Sequence, residues 1–147
     1  MQPLVLMERE LPFETMHALV DAAGREGATA FLALLRDVGR GRFRPTARGE
    51  GFFLAWHQGA LVGLVALVDG PHTASARIGT LRGLFVSGAL RRRGIGRALV
   101  SRALTHARAS VARVQIADPT TTNAAFYAAL GFTRGAARHT YEAATAR

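Results

Sequence analysis

Apolar positions along the chain switch between strand-like and helix-like spacing, and the switches mark the elements. "PLVLMEREL" near the start has strand character. Two helical stretches follow. In "PFETMHALVDAAGREG" Pro12 stands near the start, Glu14 falls in the first turn and glycines close the end, while "ATAFLALLRDVGRG" carries apolar residues at helical spacing with Gly39 and Gly41 after them. The polar loop "RFRPTARGEG" leads into "FFLAWHQGALVGLVALVDG", two strands joined around Gln58-Gly59. "PHTASA" is a turn. "RIGTLRGLFVS" is a third long strand interrupted by Gly79 and Gly83, and glycine inside a strand often marks a bulge or a close backbone approach.

Next, Ile95, Leu99, Ala103 and Ala107 recur every four residues and give a helix one buried stripe. "ARVQIADP" is a short strand, "TTTNAAFYAALGF" a short helix stopped at Gly131, and "RHTYEAA" a last strand. The predicted order is β-α-α-β-β-β-α-β-α-β. Strand–helix–strand units near the end predict parallel pairing there, and the central hairpins predict antiparallel pairing. Together they predict an α/β (mixed α+β) fold with a central mixed sheet flanked by helices. The 147 residues suit one domain spanning 1–147, with no internal repeat or linker.

Composition narrows the chemistry. There is no cysteine, which excludes disulfides and a thiol nucleophile, and the five histidines are scattered, so no metal is expected. No apolar run approaches the roughly 18 residues that span a membrane. The start "MQPLVLMERELPFE" lacks the basic n-region of a signal peptide, so a cytoplasmic location is expected. The net charge is +9 and every Lys/Arg position is arginine. Between Asp69 and Asp118 no acidic residue occurs, yet Arg77, Arg82, Arg91, Arg92, Arg93, Arg97, Arg102, Arg108 and Arg113 do. That distribution suits a polyanionic partner, either cofactor phosphates or nucleic acid, and equally a solvated face.

"LRRRGIGRALVSRAL" concentrates this charge where a glycine turn opens into a helix. Helix N-termini offer unpaired N–H groups and the positive end of a dipole, and phosphates bind there. Gly94 and Gly96 let a ligand approach the backbone, and Arg91, Arg92, Arg93 and Arg97 add guanidinium forks suited to phosphate. The dinucleotide fingerprint needs a third glycine where Leu99 stands, and the Walker loop needs a lysine, so neither applies.

Set between the strand "LRGLFVS" and a helix, Arg91-Arg92-Arg93-Gly94-Ile95-Gly96 resembles the Arg/Gln-x-x-Gly-x-Gly/Ala signature of the GCN5-related N-acetyltransferases (GNAT), although Gly88 stands where a proline is common. A second match lies downstream, where Asn123 and Tyr127 share a helix face and Gly131-Phe132 close it. The resemblance is clear over residues 50–143. It implies a GNAT-like acyl-CoA N-acyltransferase fold and acetyl-CoA as cosubstrate. The pyrophosphate would be held around Arg91, Arg92, Arg93, Gly94, Ile95, Gly96 and Arg97, and the pantetheine arm would lie along Leu84, Phe85 and Val86, with Asn123 and Phe126 nearby.

It further implies acetyl transfer to an amine; the absence of cysteine points to direct transfer, and the short chain leans toward a small-molecule acceptor, with a protein amine left open. An N–H near Phe85 or Val86 would polarise the carbonyl, and Tyr127 would protonate the departing thiolate. His57, His72 and Glu50 are the candidate bases, none of them marked by a motif. The acceptor side falls in Phe13–Thr46 and Arg134–Tyr141, where the signature is silent, and Trp56, Phe52, Phe53 and Tyr141 are candidate lining residues. A homodimer is compatible with the resemblance. The alternatives are a basic nucleic-acid-binding module, which leaves Asn123, Tyr127 and Gly131-Phe132 unexplained, and a catalytically silent CoA-binding domain.

Overall fold

Seven strands form one mixed sheet in the computed structural model, which describes residues 3–46, 49–70, 77–117, 121–134 and 140–144. The elements are β1 (Leu4–Glu8), a 3-10 turn (Phe13–Thr15), α1 (His17–Glu26), α2 (Thr29–Gly39), β2 (Gly51–His57), β3 (Ala60–Asp69) and β4 (Ile78–Val86). A second 3-10 turn (Gly88–Leu90) leads to α3 (Ile95–Ala107), β5 (Arg113–Ala117), α4 (Thr121–Ala129), β6 (Thr133–Arg134) and β7 (Thr140–Ala144). The first predicted helix is split: Met16, fully buried, separates the 3-10 turn from α1. The predicted turn at residues 71–76, with His72, lies outside the described residues.

The sheet order is β1-β2-β3-β4-β5-β7-β6. Strands β1 to β4 form antiparallel neighbours, with Gln58-Gly59 turning β2 into β3. β4 and β5 are parallel, as the strand–helix–strand reading predicts. The second predicted parallel neighbour pair does not form. β7 lies between β5 and β6 and is antiparallel to both, because the chain after α4 makes only the two-residue β6 before returning through β7 to the free edge of β5.

Two apolar layers sandwich this sheet. Alternation along β2 sends Phe53 and Ala55 to one face and Phe52 and Leu54 to the other, and all four are buried. On the first face Ile95, Leu99, Ala103 and Ala107 pack with Val65, Val114, Tyr127 and Phe132, so the predicted stripe of α3 is the buried one. On the second face Leu19 and Ala23 of α1 and Phe31 and Leu34 of α2 pack with Leu64 and Phe85. Burying aliphatic side chains of this size on both faces contributes roughly 1.5–3 kcal/mol each.

Candidate active site

The site begins where two parallel strands part. β4 and β5 pair from Ile78↔Arg113 to Leu81↔Ile116, and β4 then runs on through residues 82–86 with no partner on β5. The departure coincides with a bulge. Against β3, Arg82 opposes Ala66 and Phe85 opposes Leu64, which leaves one extra residue on β4. Gly83 takes a left-handed backbone (φ +68°), and a Cβ there would lie 2.7 Å from Leu34 Cδ2. Only glycine meets both demands cheaply.

Beyond the bulge the ladder phase fixes where peptide groups point. Ser87 N–H donates to the Val62 carbonyl at 2.8 Å. With Val86 opposite Gly63 and Phe85 opposite Leu64, antiparallel alternation turns the Val86 N–H and C=O away from β3, into the gap left by β5. The Val86 carbonyl accepts the Arg91 Nε–H at 3.1 Å, as that direction requires.

The chain then makes the Gly88–Leu90 turn and enters α3 through two left-handed residues, Arg92 (φ +65°) and Gly94 (φ +82°). Positive φ at a non-glycine residue is uncommon and costs about 1–3 kcal/mol, a strain found typically at ligand-binding loops. Gly94 is the residue before α3, and among the described residues no atom beyond its chain neighbours lies within 4 Å of the position its Cβ would occupy, so space is open there. The first amides of α3 have no partner within the helix by construction. Arg92, Arg93, Gly94 and Arg97 are exposed around this open amide cradle. Its geometry and charge fit a pyrophosphate.

Two further elements converge on the cradle. A Cβ on Gly96 would sit 3.3 Å from Phe126 Cζ and 3.8 Å from Val86 Cγ2, so α4 closes over the α3 entry at its most backbone-bare point. Phe126 meets Tyr127 edge-on at 5.0 Å, and Tyr127 meets Phe132 at 5.6 Å. Tyr127 is only 3 % exposed and belongs to the apolar cluster that includes Val86 and Ile95. Burial pushes its phenol up to about 12, so it stays protonated across the physiological range.

The predicted site residues divide as follows. Val86, Gly94, Gly96 and Phe126 come together at the strand end and helix entry, with Arg92, Arg93 and Arg97 exposed around it. Leu84 is half-buried against the α3 layer. The Ile95 side chain is buried core, so at that position only the backbone is available to a ligand. The Phe85 ring turns to the opposite layer, stacking on Phe31 at 5.2 Å. Asn123 lies in the first turn of α4, and its side chain is outside the described residues, as is that of Tyr141.

Of the candidate bases, Glu50 is buried and its carboxylate accepts the N–H groups of Thr46 (3.1 Å) and Asp69 (2.8 Å) at the far end of the sheet, which removes it from the cleft. His57 ends β2, two strands from β4.

Two acidic residues near the cleft carry no sequence motif. Glu26, the last residue of α1, pairs with Arg91, and Asp37 of α2 pairs with Arg82 at 2.9 Å. These partners stand 65 and 45 residues apart, a distance over which no local spacing signals a pair. Among the described residues no group of three or more His, Asp or Glu is arranged to hold a metal, and no helix is long and apolar enough to cross a membrane.

The acetyltransferase (GNAT) family model matches residues 29–132. A search of curated proteins finds no match. Among solved structures, a protein of Exiguobacterium sp. 255-15 assigned to the acetyltransferases superposes with a TM-score of 0.82 at 20% identity, over 98% of this chain and 94% of that one. A GNAT-family acetyltransferase of Staphylococcus aureus Mu50 gives 0.71 at 14%, over 97% and 100%. The N-acetylglutamate synthase of Neisseria gonorrhoeae, solved with coenzyme A and N-acetyl-glutamate, gives 0.71 at 19%, over 100% of this chain and 36% of that one. At these identities the likeness is one of fold.

Proposed function

The chain belongs to the acetyltransferase (GNAT) family, and we propose that it transfers the acetyl group of acetyl-CoA directly to an amine, preferentially on a small molecule. One observation carries the reading. The peptide of Val86 faces the gap between β4 and β5, beside an open, glycine-lined and arginine-flanked helix entry. A coenzyme A molecule bound to the fold neighbour from N. gonorrhoeae supports it.

In this reading the α3 entry amides hold the pyrophosphate, with Arg92, Arg93 and Arg97 supplying charge around it. The strand end at Leu84–Val86 pairs with the pantetheine arm. The Val86 N–H, aimed into the gap, hydrogen-bonds the thioester oxygen and stabilises the charge that builds there when a neutral amine attacks. Nitrogen bonds to the carbonyl carbon, the C–S bond breaks with its electron pair on sulfur, and the ammonium proton passes to water. Tyr127 O–H donates to the departing sulfur and hands over its proton, which solvent returns. A phenol near 12 is a weak acid, so its chief contribution is the hydrogen bond that strengthens as charge reaches sulfur. Holding both reactants together lowers the barrier by several kcal/mol, up to roughly 7–11 in ideal cases.

The test is thiol release from acetyl-CoA with a panel of amines. The wild-type protein is expected to turn over at least one amine and to gain thermal stability with CoA, by about 2.7 kcal/mol at a hundredfold excess over Kd. Tyr127→Phe is expected to lower turnover about 10²- to 10⁴-fold with CoA binding intact. Full turnover by that variant rejects Tyr127 as the acid. No thermal shift at millimolar CoA rejects the whole reading.

A further inference from the structure

We propose that Arg91, the first arginine of the loop signature, is a positioning residue rather than a phosphate ligand. Its side chain is a strut that joins the cofactor loop to the end of β4 and to α1. The inference rests on the acetyl-CoA reading of the cleft.

Three contacts define the strut. The Nε–H donates to the Val86 carbonyl at 3.1 Å, Nη2 donates to the Glu26 carboxylate, and the guanidinium lies 5.4 Å above the Phe85 ring. Gly88 lies beneath the pair. A Cβ there would be 3.1 Å from Glu26 Oε2 and 3.8 Å from Arg91 Nη1. The side chain therefore spans the 3-10 turn, the strand end and the last residue of α1.

The side on which it lies sets it apart from the other arginines of the loop. Successive residues of a strand point to opposite faces. Val86 faces α3 and α4, where Gly96 and Phe126 meet, while Phe85 faces α1 and α2 and stacks on Phe31. The Arg91 guanidinium sits on Phe85, hence toward the α1–α2 face, with its Nε anchored on the Val86 carbonyl at the strand end. To reach a phosphate it would give up the Val86 carbonyl and leave Glu26 without this cation. Among the described residues Arg92, Arg93 and Arg97 hold no ion pair that they would have to give up.

The pair is also too exposed to be explained by folding stability, since Arg91 and Glu26 side chains are 46% and 36% exposed and ion pairs of that kind are worth about 0–1 kcal/mol. What it fixes is geometry. By holding the Val86 carbonyl, Arg91 orients the peptide plane at the strand end, and through Glu26 it makes the cofactor loop and the α1–α2 side move together.

Calorimetric titration of the full chain with CoA at several salt concentrations tests this, using Glu26→Gln, Arg91→Gln, Arg91→Lys, the double variant Glu26→Gln/Arg91→Gln, and Arg97→Gln as the comparison. Equal thermal unfolding of the variants confirms that each is folded. Glu26→Gln and Arg91→Gln are each expected to weaken CoA binding about three- to tenfold, with the double variant no weaker than the worse single one, as for residues acting through one contact. The salt dependence of both should match wild type. Arg91→Lys, which keeps the charge but loses the planar fork, should behave as Arg91→Gln.

The strut is overturned if Glu26→Gln tightens CoA binding, which would mean that Glu26 holds a phosphate ligand in check. It is overturned equally if Arg91→Gln flattens the salt dependence while Arg91→Lys binds like wild type. Those outcomes leave the acetyl-CoA reading standing, whereas a wild-type protein that binds no CoA rejects both.

Discussion

At its lower end the β4–β5 pair is a closed ladder, and at its upper end the same two strands stand apart. Below, Thr80 lies opposite Gln115, whose Nε2–H donates to the Thr80 hydroxyl at 3.1 Å, while that hydroxyl donates to the Gly70 carbonyl at 2.7 Å. All of this is buried, and Glu50 ties the adjacent loop to the end of β3 by accepting the Thr46 and Asp69 amides. Above, the bulge at Gly83 ends the regular register, and the peptide of Val86 is held by an arginine side chain instead of a neighbouring strand. At the lower end Thr80, Gln115 and Glu50 find their partners within the protein. The upper end presents backbone groups without a strand to take them, which is what a substrate needs to find.

The largest expected effect comes from filling the bulge. Gly83→Val places a β-branched residue at φ +68° and drives its Cβ into Leu34. Left-handed strain and overpacking together predict a loss on the order of 2–5 kcal/mol in urea unfolding. CoA affinity should fall as well, because the ladder phase that aims Val86 depends on the extra residue. If the variant unfolds like wild type, the bulge is not what opens the cleft.

Next is Glu50→Ala at the closed end. It strands the Thr46 and Asp69 amides, and a loss of about 1–3 kcal/mol is expected with CoA binding unchanged. A variant of normal stability but no turnover would return Glu50 to the chemistry. Smaller again is Gln115→Leu. It removes one buried hydrogen bond but leaves the Thr80 hydroxyl its acceptor, so about 0.5–1.5 kcal/mol is expected, again without effect on CoA. A drop in CoA affinity from either substitution would mean that the two ends are coupled.

The same contrast explains what could be read from the chain. The hairpin at Gln58-Gly59, the Ile95–Ala107 stripe and the Gly83 interruption are written in neighbouring residues, so spacing alone exposes them. So is the basic glycine turn, because helix entry, charge and glycine all fall within a few positions. What could not be read depends on distance. β7 slips between β5 and β6 because of where the chain returns after α4, and no local pattern states that. Glu50 resembles a free loop acid until its two amide partners are seen. Arg91 fills the fixed arginine position of the signature and so reads in the sequence as a phosphate ligand, and only Glu26 and Phe85, brought in from other elements, point to a different place for it.

The smallest effect concerns His106, in the last turn of α3. Its ring meets Phe53 edge-on at 5.6 Å, and among the described residues its buried Nε2 has no hydrogen-bond partner. Burial, then the positive charges of Arg102 and Arg9, lowers its pKa below the ordinary 6.5. A histidine with a depressed folded pKa binds protons more readily in the unfolded chain. Its contribution to stability is therefore complete above about 6.5 and is lost as the pH falls through that value toward the folded pKa. The urea midpoint should drop between pH 7 and 5 by more in wild type than in His106→Gln, which cannot titrate. CoA affinity over the same range should not follow the histidine, because no observed contact links His106 to the Val86 peptide. An equal drop in both proteins removes His106 from the account. A CoA affinity that tracks His106 would show that protonation at the C-terminal end of α3 reaches the cleft at the other.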